Sequence, residues 1–130
     1  MDTTEIHTCE ASAWNALCQS GVALIPLLAS DCVMVFPGGM MLADETLRSA
    51  LSGDAFQPWK KYTITDARVL PVDSNGTCAL IVYRVIAERE VGDGEDKAVF
   101  NALCSSIWRR CMKKEVPEGW EMVSHQQTPV

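Results

Sequence analysis

The chain has few basic residues and no long hydrophobic run. Lys and Arg number 11 against 17 Asp and Glu, so the formal net charge is −6. Nucleic acids and anionic membranes attract proteins mainly through clustered Lys and Arg, so this acidic balance argues against both as partners. The longest apolar run, residues 22–29, has eight residues, whereas a helix needs roughly 20 to cross a bilayer. The sequence therefore predicts a protein with no membrane-spanning helix.

A secretory signal and a metal-binding spacing are also missing. The first residues, MDTTE, are acidic instead of basic and then apolar, so we expect a cytoplasmic protein. None of the six Cys forms a CxxC pair, and the two His, His7 and His125, lie 118 positions apart. Zinc ligands are spaced more closely than this, so we expect no metal site and no cofactor.

A single domain is expected over residues 1–130. A chain of 130 residues is long enough to bury a core of its own and too short for two domains of the usual size. Such a core needs no disulfide, so we expect the six Cys to be free and mostly buried thiols.

The hydrophobic pattern changes from helical to alternating spacing near residue 59. Apolar residues at helical spacing predict three helices, at residues 4–19, 22–29 and 44–52. After the second helix the sequence predicts a short hairpin, with strands at 32–36 and 40–42. Alternation then predicts four long strands, at 59–72, 77–88, 98–112 and 120–128. Short turns join these four strands, which makes them antiparallel, so the predicted fold class is α+β.

The strand at residues 77–88 is apolar on both of its faces. Ala79, Ile81 and Val85 alternate with Leu80 and Val82. The three helices of so small a domain can cover one face of a sheet and leave the other uncovered. We therefore expect the second face to pack against another copy of the chain in a homodimer.

Four segments resemble the nuclear-transport-factor-2-like superfamily. They are ASDCVMVFPGG at residues 29–39, YTITDARVL at 62–70, ALIVYRV at 79–85 and GWEMVSHQQTP at 119–129, of which the last is the most specific. Within the superfamily, the chain is most similar to the SnoaL-like, small uncharacterised domains. The resemblance covers nearly the whole chain. It implies a curved antiparallel sheet wrapped around the N-terminal helices into a cystatin-like cone, with an interior pocket at its open end and dimers formed through its outer face.

The resemblance does not by itself give the function. The superfamily includes ketosteroid isomerases, polyketide cyclases, dehydratases, association domains and transport factors. Its isomerases use an Asp general base near the end of the first short strand, with a Tyr and a protonated Asp as oxyanion donors. In this chain residues 35–37 are Val, Phe and Pro, and the first helix offers Trp14 instead of Tyr. The isomerase site is therefore missing.

The pocket expected between the first helix and the sheet would be lined by aromatic residues, Met residues and a few polar groups. The candidates are Trp14, Met34, Phe36, Met41, Trp59, Tyr62, Arg84, Asn101 and Trp108. A pocket with such walls suits a small, mostly apolar organic molecule. The aromatic and Met residues could equally form ordinary core, and Arg84 could pair with Glu88 or Asp66.

Chemistry in this pocket would require acid–base groups that converge on one point. The candidates are His125, Asp66, Glu88 and Tyr83. Simple alternation counts against His125: if Trp120 faces the interior, Ser124 shares its side and His125 lies on the other side.

Three functions remain open from the sequence, and whether the chain is an enzyme is undecided. The first is an interior pocket for a small, mostly apolar ligand, without assured chemistry. The second is a cofactor-independent isomerase, cyclase or dehydratase of polyketide-like or terpenoid-like substrates. The third is a dimerisation or association module without chemistry.

Overall fold

The computed structural model describes residues 2–91, 96–111 and 119–130. Its elements in chain order are α1 (Thr3–Gln19), a 3-10 helix (Val22–Leu27), β1 (Leu28–Phe36), β2 (Met40–Ala43), α2 (Asp44–Ser52), β3 (Lys61–Pro71), β4 (Cys78–Val91), β5 (Asp96–Arg110) and β6 (Trp120–Pro129). Each predicted element is present at nearly the expected place. Met112, the predicted end of the third long strand, lies outside the described residues.

Helix α1 begins at a capping residue and ends before a glycine that the fold requires. Asp2 Oδ1 accepts a hydrogen bond of 2.9 Å from the Thr4 backbone N–H, which satisfies one of the free donors of the first turn. After the helix, a Cβ on Gly21 would lie 2.0 Å from the Leu51 carbonyl oxygen. Only glycine therefore lets α2 approach the end of α1 this closely.

The second predicted helix is shorter than expected. Residues Val22–Leu27 form a 3-10 helix that contains Pro26, and Leu28 and Ala29 already belong to β1. Proline has no N–H to donate within a helix, so this segment cannot extend into a regular α-helix.

The six strands form one curved sheet in the order β2-β1-β6-β5-β4-β3. The three pairs from β3 to β6 are antiparallel, as the short connections predict. β1 and β2 form the predicted hairpin, whereas β1 and β6 pair in parallel. The predicted α+β cone is therefore confirmed, with one parallel pair in a sheet that was expected to be entirely antiparallel.

A bulge in β6 changes which side chains face the helix. Trp108 pairs with Met122 and Ile107 pairs with Ser124, so Val123 is an extra residue. Each extra residue reverses the alternation of a strand. His125 therefore faces the same side as Met122.

The core lies between α1 and the concave face of the sheet. Three Trp side chains are enclosed there: Trp14, Trp108 and Trp120 are each no more than 1% exposed. The convex face carries exposed apolar side chains, among them Val82 and Leu103. No helix among the described residues is long and apolar enough to cross a membrane.

Candidate functional site

A cavity of about 360 Å³ lies between the helices and the concave face of the sheet. Apolar side chains form most of its wall, including Trp14, Leu24, Met34, Phe36, Leu47 and Trp59. The ionisable and amide side chains on the wall are Glu10, Arg89, His125 and Gln127. The cone is therefore not filled by its own side chains.

The cavity runs from a partly exposed mouth to a buried inner end. Trp59, Arg89 and Phe100 are half-buried and lie where β4 ends and β5 begins, which places them at the mouth. Glu10 and His125 are only 1% and 5% exposed and form the polar inner end. A bound molecule would meet a cation at the mouth and a carboxylate with an imidazole inside.

Glu10 holds its carboxylate in place by accepting three hydrogen bonds. Trp108 Nε1 donates to Oε1 at 2.8 Å, and Ser106 Oγ donates to Oε2 at 2.8 Å. The Tyr83 hydroxyl donates to Oε2 as well, and its oxygen accepts a bond of 2.7 Å from Trp14 Nε1. Neutral donors from β4 and β5 thus satisfy a carboxylate that has left water, which offsets part of the cost of its burial.

His125 lies beside this carboxylate with both ring nitrogens engaged. Its Nδ1 is 2.7 Å from Ser106 Oγ and 3.8 Å from Glu10 Oε2, and its Nε2 is 3.1 Å from Gln127 Nε2. An amide nitrogen only donates, so His125 Nε2 accepts and the ring proton is assigned to Nδ1. Ser106 Oγ then accepts a hydrogen bond from Nδ1 and donates its own hydrogen bond to Glu10 Oε2.

The environment favours the neutral form of His125. Burial lowers the pKa of His125, and the negative charge of Glu10 acts in the opposite direction. The rings of Trp14 and Phe36 hold the imidazole from two sides, with centroid distances of 6.5 Å and 6.4 Å. The result is a fixed, neutral imidazole whose Nε2 faces the amide of Gln127, another residue of the cavity wall.

A cation and two aromatic rings form the mouth. The Arg89 guanidinium carbon is 3.7 Å from the centroid of the Trp59 ring, and Trp59 stacks on Phe100 with centroids 5.7 Å apart. Arg89 also donates to the Gln57 carbonyl oxygen at 3.2 Å. Partial burial lowers the pKa of Arg89, although an arginine remains charged at neutral pH.

The structure brings together some of the residues predicted to line the pocket. Trp14, Met34, Phe36 and Trp59 line the cavity, as does His125. Trp108 and Tyr83 lie in the layer behind the inner end, where they bind Glu10.

Other predicted residues lie away from the cavity. Tyr62 donates to Asn15 Oδ1 of α1 at 2.7 Å. Met41 on β2 is 73% exposed. The alternation of β4 and β5 places Arg84 and Asn101 on the convex face, where Arg84 Nη1 donates to Asn101 Oδ1 at 3.3 Å.

Two of the predicted acid–base residues do not converge with His125. Asp66 is exposed in a bulge of β3 and has a positive φ of 57°. Glu88 faces outward and forms an ion pair of 2.9 Å with Lys61. Neither carboxylate can reach the cavity through the sheet.

His125, which simple alternation from Trp120 would turn outward, lines the cavity, and Glu10 was not predicted at all. The extra residue Val123 reverses the alternation on which the prediction rested. A signal for Glu10 is present in the sequence: it lies four residues after Ile6 and four before Trp14, on the stripe that α1 buries. A carboxylate on the buried face of an amphipathic helix indicates a partner or a function.

Among the described residues, no group of three or more His, Cys, Asp and Glu is placed to hold a metal ion. None of the six Cys, all of which are among the described residues, is in a disulfide, as predicted, and three of them are buried. Burial raises the pKa of Cys32 and of Cys104 to about 12. Such thiols are poor nucleophiles and serve as core.

An α+β cone with an interior cavity at its open end is the fold of nuclear-transport-factor-2-like proteins, and solved structures bear this out. A protein of Xanthomonas campestris, provisionally assigned as a calcium/calmodulin-dependent protein kinase II association domain, matches with a TM-score of 0.82 at 16% identity, over 100% of this chain and 89% of that one. A provisionally assigned scytalone dehydratase of Novosphingobium aromaticivorans gives 0.80 at 12% identity, over 98% and 83%. A nuclear-transport-factor-2-like protein of Rhodospirillum rubrum, of unknown function in nutrient uptake, gives 0.70 at 22% identity, over 98% and 97%.

These identities are low, so the matches show the fold and leave the function open. No family model matches the chain, and no curated protein matches it. The nuclear-transport-factor-2-like fold is thus confirmed, while the similarity to the SnoaL-like branch stays a prediction.

Proposed function

We propose that this chain binds a small, mostly apolar organic molecule inside the cone. The cavity of about 360 Å³ with apolar walls carries this proposal. Ligand sites commonly enclose roughly 300–1,000 Å³ and combine apolar walls with a few polar groups that orient the ligand. This cavity has that composition and suits a molecule of one or two rings.

The polar groups restrict the ligand further. At the inner end, the Gln127 amide can donate a hydrogen bond to a carbonyl or hydroxyl oxygen of the ligand. At the mouth, the Arg89 guanidinium over Trp59 can pair with a carboxylate or sulfonate. The favoured ligand is an apolar molecule with an oxygen at one end, and an anionic group at the other end strengthens its binding.

Binding can be measured with N-phenyl-1-naphthylamine, a neutral dye made of a phenyl and a naphthyl group, whose fluorescence rises in apolar surroundings. We expect saturable binding with energy transfer from the Trp residues of the cavity wall. Ala13 lies on the wall, so Ala13→Leu fills part of the cavity and should weaken binding. Ala11→Leu adds the same carbons to the same helix outside the wall and should leave binding unchanged.

The proposal fails if the dye does not bind, or if the two Leu variants bind it equally well while their circular dichroism remains native. Native mass spectrometry of the freshly purified protein, followed by denaturing extraction, identifies any molecule that the cavity already holds.

We also propose that the chain forms a homodimer through the convex face of β4 and β5. Val82, Ile86 and Leu103 on this face are 38%, 40% and 45% exposed. Several exposed apolar side chains on one face of a sheet are typical of a protein interface. Two structurally similar proteins are the association domain of C. elegans CaMKII and the S. rosetta CaMKII hub. Native mass spectrometry at micromolar concentration tests the proposal, and a monomer would overturn it.

A further inference from the structure

The inner end of the cavity holds more polar groups than ligand orientation requires. A buried carboxylate, a buried serine hydroxyl and a buried imidazole follow one another from Glu10 through Ser106 to His125. Burial of ionisable groups reduces stability unless their partners are well placed. Such groups gathered at the closed end of a cavity are typical of a catalytic site.

We propose that the cavity is an acid–base active site in which His125 Nε2 removes a proton from a carbon next to a carbonyl group of the bound molecule. The proposal rests on the proposed binding function and adds chemistry to it. Glu10 is a positioning residue: through Ser106 it fixes the ring and its proton on Nδ1.

The contacts of His125 suit a base. Nδ1 donates to Ser106 Oγ, so the lone pair of the neutral ring lies on Nε2. Gln127 Nε2, the group now within 3.1 Å of that nitrogen, can turn its amide N–H to a ligand oxygen. The imidazolium formed by proton removal then lies 3.8 Å from the Glu10 carboxylate, which stabilises the new charge.

The step conserves atoms and electrons. His125 Nε2 forms a bond to the proton, the C–H electron pair becomes a C=C bond, and the carbonyl π pair moves to the oxygen. Gln127 donates a hydrogen bond to this enolate oxygen. The imidazolium then returns the proton to another carbon or to an oxygen of the same molecule, so the net reaction is an isomerisation. The substrate class is a small, apolar carbonyl compound.

A reaction that needs only a base in an apolar cavity tests the chemistry without knowledge of the natural substrate. In 5-nitrobenzisoxazole, a base takes the proton from the ring C–H, the electron pair of that bond forms a nitrile, and the N–O bond breaks to release a coloured phenolate. We expect the protein to accelerate this elimination, with the rate saturating in the probe. His125→Gln should lower the rate about 100-fold or more.

The matched control is His7→Gln. His7 is the other histidine of the chain and is exposed on α1, so this variant should keep the full rate. If both variants have the same rate, or if the unmodified protein binds the probe without accelerating the reaction, the proposal is overturned. Absence of binding by both this probe and the naphthylamine dye would instead overturn the proposed binding function.

The variant Glu10→Gln tests whether Glu10 positions His125 or only supports the fold. Besides a lower rate, we expect the pH at which the rate is half its maximum to move to lower pH, because the Glu10 charge raises the pKa of His125. The Tyr83 hydroxyl from β4 and the Cys104 thiol from β5 stay neutral because burial and the Glu10 charge raise their pKa values. A lower rate with an unmoved midpoint would mean that Glu10 only supports the structure.

Nuclear magnetic resonance of the unmodified protein keeps the proposal testable if a variant does not fold. Nitrogen chemical shifts of the two histidines report their tautomers and titration. We expect His125 to be neutral at pH 7 with its proton on Nδ1. A proton on Nε2 of His125 would overturn the proposal, because the base would then have no lone pair on the cavity side.

Discussion

Glu10 shows how a single charged side chain can be kept inside this fold. Its two oxygens accept from Trp108, Ser106 and Tyr83, so the negative charge is stabilised by fixed dipoles from two strands, β4 and β5. A neutral replacement of similar shape would avoid the cost of burying that charge. The structure retains the carboxylate beside His125, and this is the strongest residue-level argument for chemistry in the cavity.

The stability of the protein should depend on pH through His125. Burial lowers the pKa of this ring in the folded chain from 6.5. Below that pH, the unfolded chain binds a proton more readily than the folded one, so the free energy of unfolding falls as pH decreases. The fall is at most about 1.4 kcal/mol per pH unit, between 6.5 and the folded pKa.

Urea unfolding at pH 8, 7, 6 and 5 measures this effect. We expect the stability of the unmodified protein relative to His125→Gln to decrease below about pH 6.5, the ordinary histidine pKa. His7→Gln should show the same pH dependence as the unmodified protein. Parallel stability curves for the unmodified protein and His125→Gln would contradict the prediction.

Arg89 should select ligands that carry a negative charge. Its guanidinium lies over Trp59 at the mouth, where partial burial strengthens a pair with an anion. We expect Arg89→Met to weaken binding of 8-anilinonaphthalene-1-sulfonate about fivefold or more, which corresponds to roughly 1 kcal/mol. The neutral N-phenyl-1-naphthylamine has the same rings and should bind this variant as before. An equal loss for both dyes would show that Arg89 acts only by packing.

At the level of elements, side-chain alternation is regular along β4 and β5 and is interrupted in β6; the sequence did not show which face of β4 and β5 is the inner one, so Arg84 and Asn101 were wrongly expected in the pocket. Tyr83 and Trp108 face the core because no extra residue interrupts the pairing of their strands with each other. In β6 the register shifts against both neighbours near Val123. The sequence of β6 alone does not show how this strand is aligned with its two neighbouring strands. The direction of His125 therefore could not be predicted from the sequence.

The buried face of α1 could be predicted from the sequence, but Glu10, the charged residue on that face, was overlooked. Ile6, Cys9, Ala13 and Trp14 are buried as expected from helical spacing, and Glu10 lies among them at 1% exposure. The spacing alone assigns Glu10 to the buried face. Its three donors come from β4 and β5, more than 70 residues away in the sequence, and only the folded chain shows them.

The junction between α1 and α2 should tolerate no side chain at Gly21. A Cβ there would lie 2.0 Å from the Leu51 carbonyl oxygen, and a backbone atom cannot move aside as a flexible side chain can. We expect Gly21→Ala to lower the free energy of unfolding by about 1–3 kcal/mol, the usual cost of overpacking. Thermal and urea unfolding measure the loss.

Gly53→Ala is the control for this junction. Its Cβ would be 3.0 Å from the Ser49 carbonyl oxygen, and its φ of −79° is ordinary. The loss for Gly53→Ala should be clearly smaller than for Gly21→Ala. Equal losses would show that the cost comes from replacing a glycine and not from the contact with Leu51.

On the scale of the whole molecule, the curved sheet gives its two faces different tasks. The concave face and the helices enclose the cavity, with Glu10 and His125 at its inner end. The convex face of β4 and β5 presents Val82 and Leu103 between polar neighbours such as Arg84. Because the two faces are separated by the thickness of the sheet, the proposed association and the proposed ligand binding can be tested independently.

Charge introduced on the convex face should therefore prevent association and spare the cavity. In a two-fold symmetric dimer each substitution occurs twice on the same interface, so Val82→Lys or Leu103→Lys places like charges on apolar surface that must be desolvated. We expect these variants to sediment as monomers and to bind N-phenyl-1-naphthylamine with unchanged affinity. Val22→Lys, at a residue 53% exposed on the 3-10 helix, is the matched control and should remain dimeric. If all three variants dimerise as the unmodified protein does, the interface does not lie on the convex face. If loss of the dimer also abolishes dye binding, the partner subunit completes the cavity.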